Sequence, residues 1–229
     1  MCCWAASPSA SAAETATVAV ASDYDFRGDT QTNHAPVAQL TFEWSGLDDG
    51  KVGLFASDVN FGTVPSVGNP QLELAPYFEL SAKVTPELKL NGGAAYYTYV
   101  IGGGGRYDFG EIYLAVDYLR VRGSLYYTPN YDGSATPRQV AAEYIAIDGT
   151  TELADRWSLL EHAGYAWGDY WTEIGGGRKL DVSLGLTHHL GKVDLALLFI
   201  DKRQVSAGPA HQSDTTGRVV FSLSRTFSL

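Results

Sequence analysis

From Glu14 to the end of the chain, apolar and polar side chains alternate with a period of two, and Gly, Pro, Asn and Asp clusters interrupt the alternation at intervals. A strand turns successive side chains to opposite faces, so this period predicts strands, whereas helical spacing would mix the two sets on every face. In "QLELAPYFEL", Leu72, Leu74, Pro76, Phe78 and Leu80 share one face, and Gln71, Glu73, Tyr77 and Glu79 take the other. In "EIYLAVDY", Ile112, Leu114, Val116 and Tyr118 oppose Glu111, Tyr113 and Asp117, and "KLDVSLGLTH" sets Leu180, Val182, Leu184 and Leu186 against Lys179, Asp181, Ser183 and Thr187. The pattern predicts about twelve strands, near 14–27, 36–45, 51–58, 71–82, 88–98, 108–118, 121–127, 138–148, 157–167, 179–189, 192–200 and 217–227. Their lengths cluster near the roughly 9 to 11 residues that a tilted strand needs to cross a bilayer.

The connections carry a second pattern. Short links ("GLDDG", "VTPE", "LRVRG", "LGKV") alternate with long ones ("GDTQTNHAP", "VNFGTVPSVGNP", "IGGGGRY", "TPNYDGSATP", "GDYWTEIGGGR", "DKRQVSAGPAHQSDT"). Outer-membrane barrels alternate in this way, with short periplasmic turns and long extracellular loops. The expected fold is therefore all-β, a transmembrane antiparallel up-and-down β-barrel of about 12 strands over 14–229, in the bacterial outer membrane with both termini periplasmic. The link at 149–156 is longer than such a turn should be. In "RWSLLEHAGYAW" either Glu161 or His162 has to face lipid. Trp44 and Trp157 beside short turns, and Tyr99, Tyr107, Tyr127, Tyr165 and Trp167 beside long loops, are expected to form two interfacial girdles.

Composition changes this picture little. The 45% hydrophobic content excludes wholesale disorder. A net charge of −10 with scattered Lys and Arg excludes a nucleic-acid partner. No run of about 18 apolar residues predicts a transmembrane helix, and a mean hydropathy of −0.10 is what strands with one lipid face and one polar face produce. The cysteines, Cys2 and Cys3, lie in "MCCWAASPSASAAE", where small residues near 10–13 resemble a signal-peptidase site. Residues 1–13 are read as a signal-peptide remnant or a disordered tail, leaving a body with no disulfide framework or thiolate metal site.

The stretch "ASDYDFRGDTQT" at 21–32 resembles the opening signature of the TorF-family outer-membrane porins. Further similarities follow in order: "SDVNFG" at 57–62, "YYTY" at 96–99, "FGEIYLAV" at 109–116, "YYTPNY" at 126–131, "GYAWGDY" at 164–170 and "GRVVFSLSRTF" at 217–227. Asp25 and Asp29 depart from the pattern, standing where apolar residues are expected. The resemblance implies an outer-membrane barrel and a channel, and supplies no substrate. An adhesion role for Arg27, Gly28 and Asp29 has nothing else in the chain to support it; strand one is expected to place Asp23, Asp25 and Arg27 on its lumen face, with Gly28 opening the first long loop.

Candidate chemistry is sparse. His188 and His189 are adjacent in a strand and point to opposite faces, so they cannot share a metal. His34 and His211 fall in long links, and spacing alone gives His162 no serine and acid partner. The glycine runs at 102–105 and 175–177 are flanked by strands, whereas a dinucleotide fingerprint needs a following helix. No catalytic residue, cofactor or metal is expected. The polar faces supply the acids Asp23, Asp25, Glu43, Glu73, Glu79, Glu111, Asp117, Glu143, Asp181 and Asp194 and the bases Arg27, Lys89, Arg122, Lys179 and Arg218. Of these, Asp23, Asp25, Arg27, Glu43, Glu73, Glu79, Glu111, Asp117, Arg122 and Asp181 are the expected pore-lining set. An acid-rich wall attracts cations, unless the charges pair across strands and solvate a closed interior. The expected function is a narrow, passive channel for small hydrophilic solutes or ions with a mild cation preference, its partners outer-membrane lipid and the solute. An outer-membrane lipid or ester hydrolase, a closed structural barrel and a soluble ligand-binding barrel are the alternatives, and homo-oligomerisation stays open.

Overall fold

The computed structural model describes residues 14–47, 49–62, 68–102, 106–136, 138–206 and 217–229. Cys2, Cys3, the 1–13 segment and His211 lie outside them. In chain order the strands are β1 (Glu14–Ala21), β2 (Asp25–Phe26), β3 (Asp29–Thr30), β4 (Val37–Leu47), β5 (Gly50–Asp58), β6 (Leu72–Lys83), β7 (Leu88–Ile101), β8 (Phe109–Tyr118), β9 (Val121–Thr128), β10 (Ala142–Ala154), β11 (Trp157–Trp167), β12 (Lys179–Leu190), β13 (Val193–Gln204) and β14 (Arg218–Ser228). β2 and β3 form a separate two-residue-long hairpin, and the other twelve close into one antiparallel barrel. Each barrel strand pairs with its neighbours in sequence, and β1 closes the cylinder by pairing with both β4 and β14. Closure leaves no open sheet edge, which is the condition for a strand structure surrounded by lipid.

The two faces sort as the alternation predicts. Leu40, Phe42, Leu54, Phe78, Ile112, Leu114, Ile147, Leu184, Phe199, Val219 and Phe221 are exposed on the outside. Inside, Glu73, Glu79, Glu111, Asn91, Ser124, Thr128, Asp181, Ser183 and Thr187 are buried. The polarity is the inverse of a water-soluble barrel, so the soluble alternative is not the one this fold adopts. At the ends of the outer face, Trp157 stacks on His188 (4.2 Å between ring centroids) beside a short turn, and Tyr165 stacks on Trp167 (5.8 Å) beside a long link.

Four expectations need correction. β1 stops at Ala21, not near 27: the Ser22 amide donates to Phe221 O (2.9 Å), and the chain then bends into the barrel, where its charges meet partners. The long turn expected at 149–156 shrinks to residues 155–156, because β10 continues to Ala154 through a bulge between Glu152 and Ala154 that its alternation does not signal. Tyr99 and Tyr107 belong to no girdle; both pack against Phe61, and Tyr99 is buried within the core cluster. Glu143 pairs with the outward Tyr127 and Trp167 and so leaves the lumen set, because in β10 the inward parity is that of Tyr144 and Ala146. The Glu161/His162 ambiguity resolves with His162 inward and Glu161 exposed on the outside, where the Thr151 hydroxyl donates to it (3.3 Å).

Leu114, 68% exposed at the middle of β8, tests the lipid-facing assignment. Leu114→Arg is expected to lower stability in phosphatidylcholine vesicles by about 2–4 kcal/mol, measured by denaturant titration of the refolded barrel. A change within about 0.5 kcal/mol, typical of a water-exposed site, would place this face in water.

Candidate functional site: the lumen and its inserted hairpin

The interior is occupied by the first long connection. Phe26 pairs with Asp29 across a two-residue turn in which Arg27 (φ 54°) and Gly28 (φ 81°) both have positive φ, the backbone of a type I′ hairpin. Glycine supplies that conformation without strain, and here it also permits close approach: a Cβ on Gly28 would lie 2.7 Å from the Asp181 Cβ. The tip of the hairpin therefore rests against the wall formed by β12 and β13. The Arg-Gly-Asp tripeptide is the turn that lets this loop enter the barrel.

Charged contacts hold the hairpin on every side. Arg27 donates to Glu111 Oε1 (2.7 Å), and its guanidinium lies over the rings of Tyr144 (4.4 Å) and Tyr126 (4.7 Å). Burial alone would lower the Arg27 pKa, but the Glu111 carboxylate outweighs it and raises it, so the guanidinium stays charged. Asp29 bridges the ammoniums of Lys179 and Lys202, the latter at 2.6 Å. Burial opposes ionisation of Asp29, yet the two lysines hold its carboxyl below the ordinary range. Arg218 reaches both Asp25 and Asp23 (3.1 Å to the latter) and donates to Gly28 O (2.8 Å). Asp23 in turn accepts from Thr30 and Thr32 (2.5 and 2.8 Å), fixing the base of the loop.

Toward the short-turn end a second network spans the lumen. Lys51 pairs with Glu43 (3.1 Å) and approaches Glu79 (3.9 Å); Arg122 pairs with Glu79 (2.7 Å) and Asp117 (3.1 Å); Tyr77 and Tyr113 donate to Glu43 and Glu79. On the opposite wall His162 sits between Asp148 (2.7 Å) and Asp181 (2.8 Å), and Tyr144 donates to the same Asp181. Each ring nitrogen of His162 faces a carboxylate, which holds the ring from both sides. His189 pairs with Asp194 at the short-turn end (2.6 Å), and His34 approaches Asp23 (3.4 Å).

Toward the long-loop end the interior opens into a cavity of about 500 Å³. Its walls are aromatic: Phe61, Tyr99 and Tyr107 on one side, and Tyr131, Tyr170 and Trp171 on another. Tyr170 and Trp171 come from a short helix, α1 (Asp169–Glu173), inside a link expected to lack regular structure. Tyr170 donates to Asp132 (2.5 Å). Burial pushes Asp132 up to about 6, against the opposing hydrogen bond from Tyr170.

Of the ten residues expected from the sequence, Glu43, Glu73, Glu79, Glu111, Asp117, Arg122 and Asp181 stand on barrel strands facing inward, while Asp23, Asp25 and Arg27 reach the interior on the inserted loop instead of on strand one. Pairing across strands, the alternative weighed for these charges, is widespread. Glu73 is the exception: it is buried and accepts from Tyr24 (3.1 Å), and among the described residues no Lys or Arg forms an ion pair with it. Sequence reasoning did not reach Lys51, Asp148, Asp29, Asp132 or Lys202. Lys51 shares the inward parity of Phe55 and Ser57, a legible signal, and Lys202 continues the parity of Ile200 two residues past the expected strand end.

The Arg27–Glu111 pair is the test of the hairpin's anchorage. Arg27→Met strands a buried carboxylate and is expected to cost about 3–5 kcal/mol in denaturant titration. The double variant Arg27→Met/Glu111→Met is expected to recover most of that loss; equal losses in single and double variants would show that the pair does not hold the loop.

The barrel fold has counterparts among solved structures. The KdgM porin superposes with a TM-score of 0.58 at 9% identity, covering 93% of this chain and 99% of its own. The COG4313 outer membrane channel from Pseudomonas putida F1 gives 0.57 at 10% identity, covering 96% and 97%. The NanC porin gives 0.55 at 8% identity, covering 95% and 100%. At these identities the likeness is one of fold. No curated protein matches the chain. The profile of one family spans residues 5–227, and the chain accordingly belongs to Gcw_chp, a family of bacterial proteins of unknown function.

Proposed function

We propose that this protein is an outer-membrane channel of the kind the TorF-family resemblance implies, passing small hydrophilic solutes by passive diffusion with a preference for cations. Lipid surrounds its outer face, and the short turns and both termini lie on the periplasmic side. The observation that carries the reading is the inverted polarity of a closed twelve-strand barrel whose apolar exterior encloses a charged, hydrogen-bonding interior. An interior built only to be solid would be filled with apolar side chains at lower cost, since each buried ion has to be compensated. Inward acids outnumber inward bases, so the wall favours cations. The inserted hairpin narrows the path, and its ion pairs set how narrow.

Two substitutions separate wall charge from constriction. In a planar bilayer under a KCl gradient, the refolded protein is expected to give discrete conductance steps with a reversal potential favouring potassium. Asp117→Asn, which leaves Arg122 with Glu79, is expected to move that potential toward zero while leaving the step size nearly unchanged, whereas Glu111→Gln, which frees Arg27, is expected to enlarge the steps. A folded, heat-modifiable barrel that never produces a step would rule out the channel.

A further inference from the structure

The cavity at the long-loop end carries more charge than the seating of the hairpin accounts for. On one wall two ammoniums, Lys179 and Lys202, share the single carboxylate of Asp29, which leaves positive charge in excess there. On another, the Asp132 carboxylate receives one hydrogen bond from Tyr170, and among the described residues no Lys, Arg or His forms an ion pair with it, Lys179 acting on it only at longer range. Between them stand aromatic rings. Tyr131 packs on Tyr170 (4.6 Å between centroids) and Trp171 (5.7 Å), and the Lys179 ammonium lies 4.3 Å from the Trp171 ring, so an ammonium is already accommodated against this surface.

A small anion entering here gains from the lysines and is repelled by Asp132; a small cation gains from Asp132 and the rings and is repelled by the lysines. A molecule bearing both charges avoids either penalty, and an apolar or aromatic side group gives the rings something to cover. We propose that this cavity is a binding site for small zwitterions with an apolar side group, chemically of the amino-acid type, with the carboxylate of the ligand at Lys179 and Lys202 and its ammonium at Asp132. This deepens the channel reading by naming a class of solute and rests on it for its purpose, although binding itself needs no open pore.

Three probes of nearly one shape make the test: phenylalanine (both charges), phenethylamine (ammonium only) and 3-phenylpropanoate (carboxylate only), titrated calorimetrically into the detergent-refolded full chain at neutral pH. Phenylalanine is expected to bind about tenfold or more tightly than either single-charge probe. Asp132→Asn is expected to bring phenylalanine down to the level of 3-phenylpropanoate, and Lys202→Met, which leaves Lys179 with Asp29, to weaken phenylalanine and 3-phenylpropanoate together while sparing phenethylamine. Equal binding of phenylalanine and one of the other probes, or no binding of any to a protein shown to be folded by heat-modifiability, would overturn the site. Because calorimetry reads no current, a barrel that binds phenylalanine but does not conduct refutes the channel and leaves the site standing, and the reverse result does the opposite.

Discussion

Backbone hydrogen bonding is the constraint on which everything else in this molecule depends. An apolar exterior offers no water to unpaired N–H and C=O groups, so a sheet that wears such an exterior has to close on itself. The pairing of β1 with both β4 and β14 meets that requirement, and the Thr17 and Thr226 hydroxyls (2.8 Å) add a side-chain contact across the seam. Once the cylinder is closed, its inward side chains face one another across a narrow space and are no longer free to be chosen independently.

Twelve strands enclose more volume than wall side chains fill and less than a wide aqueous pore needs. This barrel uses the surplus to take in a loop. The inserted hairpin brings Asp23, Asp25, Arg27 and Asp29 into a wall that already carries Glu111, Lys179, Lys202 and Arg218, and each of these charges meets an opposite one. Buried ions cost several kcal/mol each when left alone and far less when paired and hydrogen-bonded. The loop and the wall therefore stabilise each other: the same contacts that seat the hairpin neutralise the strands. A loop seated by ion pairs also differs from one seated by apolar packing, because its hold depends on charge as well as on shape.

The interior is graded along the barrel. The short-turn half holds the Glu43, Lys51, Glu79, Arg122 and Asp117 network, in which the bases are shared between acids, and the long-loop half is dominated by aromatic rings around Asp29 and Asp132. Charged and aromatic surface are thereby placed at different depths.

Side-chain parity was legible from the residues. Because a strand's period is two, the outward Leu74, Phe78, Ile112, Leu114 and Val116 and the inward Glu73, Glu79, Glu111 and Asp181 could be assigned without coordinates, and the alternation of short and long links gave the antiparallel order. Asp23, Asp25 and Arg27 lie inside as well, but on the inserted loop and not on strand one. What no local pattern encodes is where a strand yields to a bend, since that depends on partners far away in the chain: β1 ends at Ala21 because Arg218 and Glu111, 193 and 84 positions from Asp25 and Arg27, stand where the inserted loop can reach them. Tyr99 and Tyr107 point the same way, because the sequence marks an aromatic near a long link but only the folded loops decide that it packs inward against Phe61. The sequence by itself thus determined the barrel and the polarity of its two faces, which are set by neighbours along the chain. Tertiary structure alone decided the plug, the ion pairs that seat it and the aromatic cavity above it, because these arise from contacts across the lumen that exist only after the cylinder has closed.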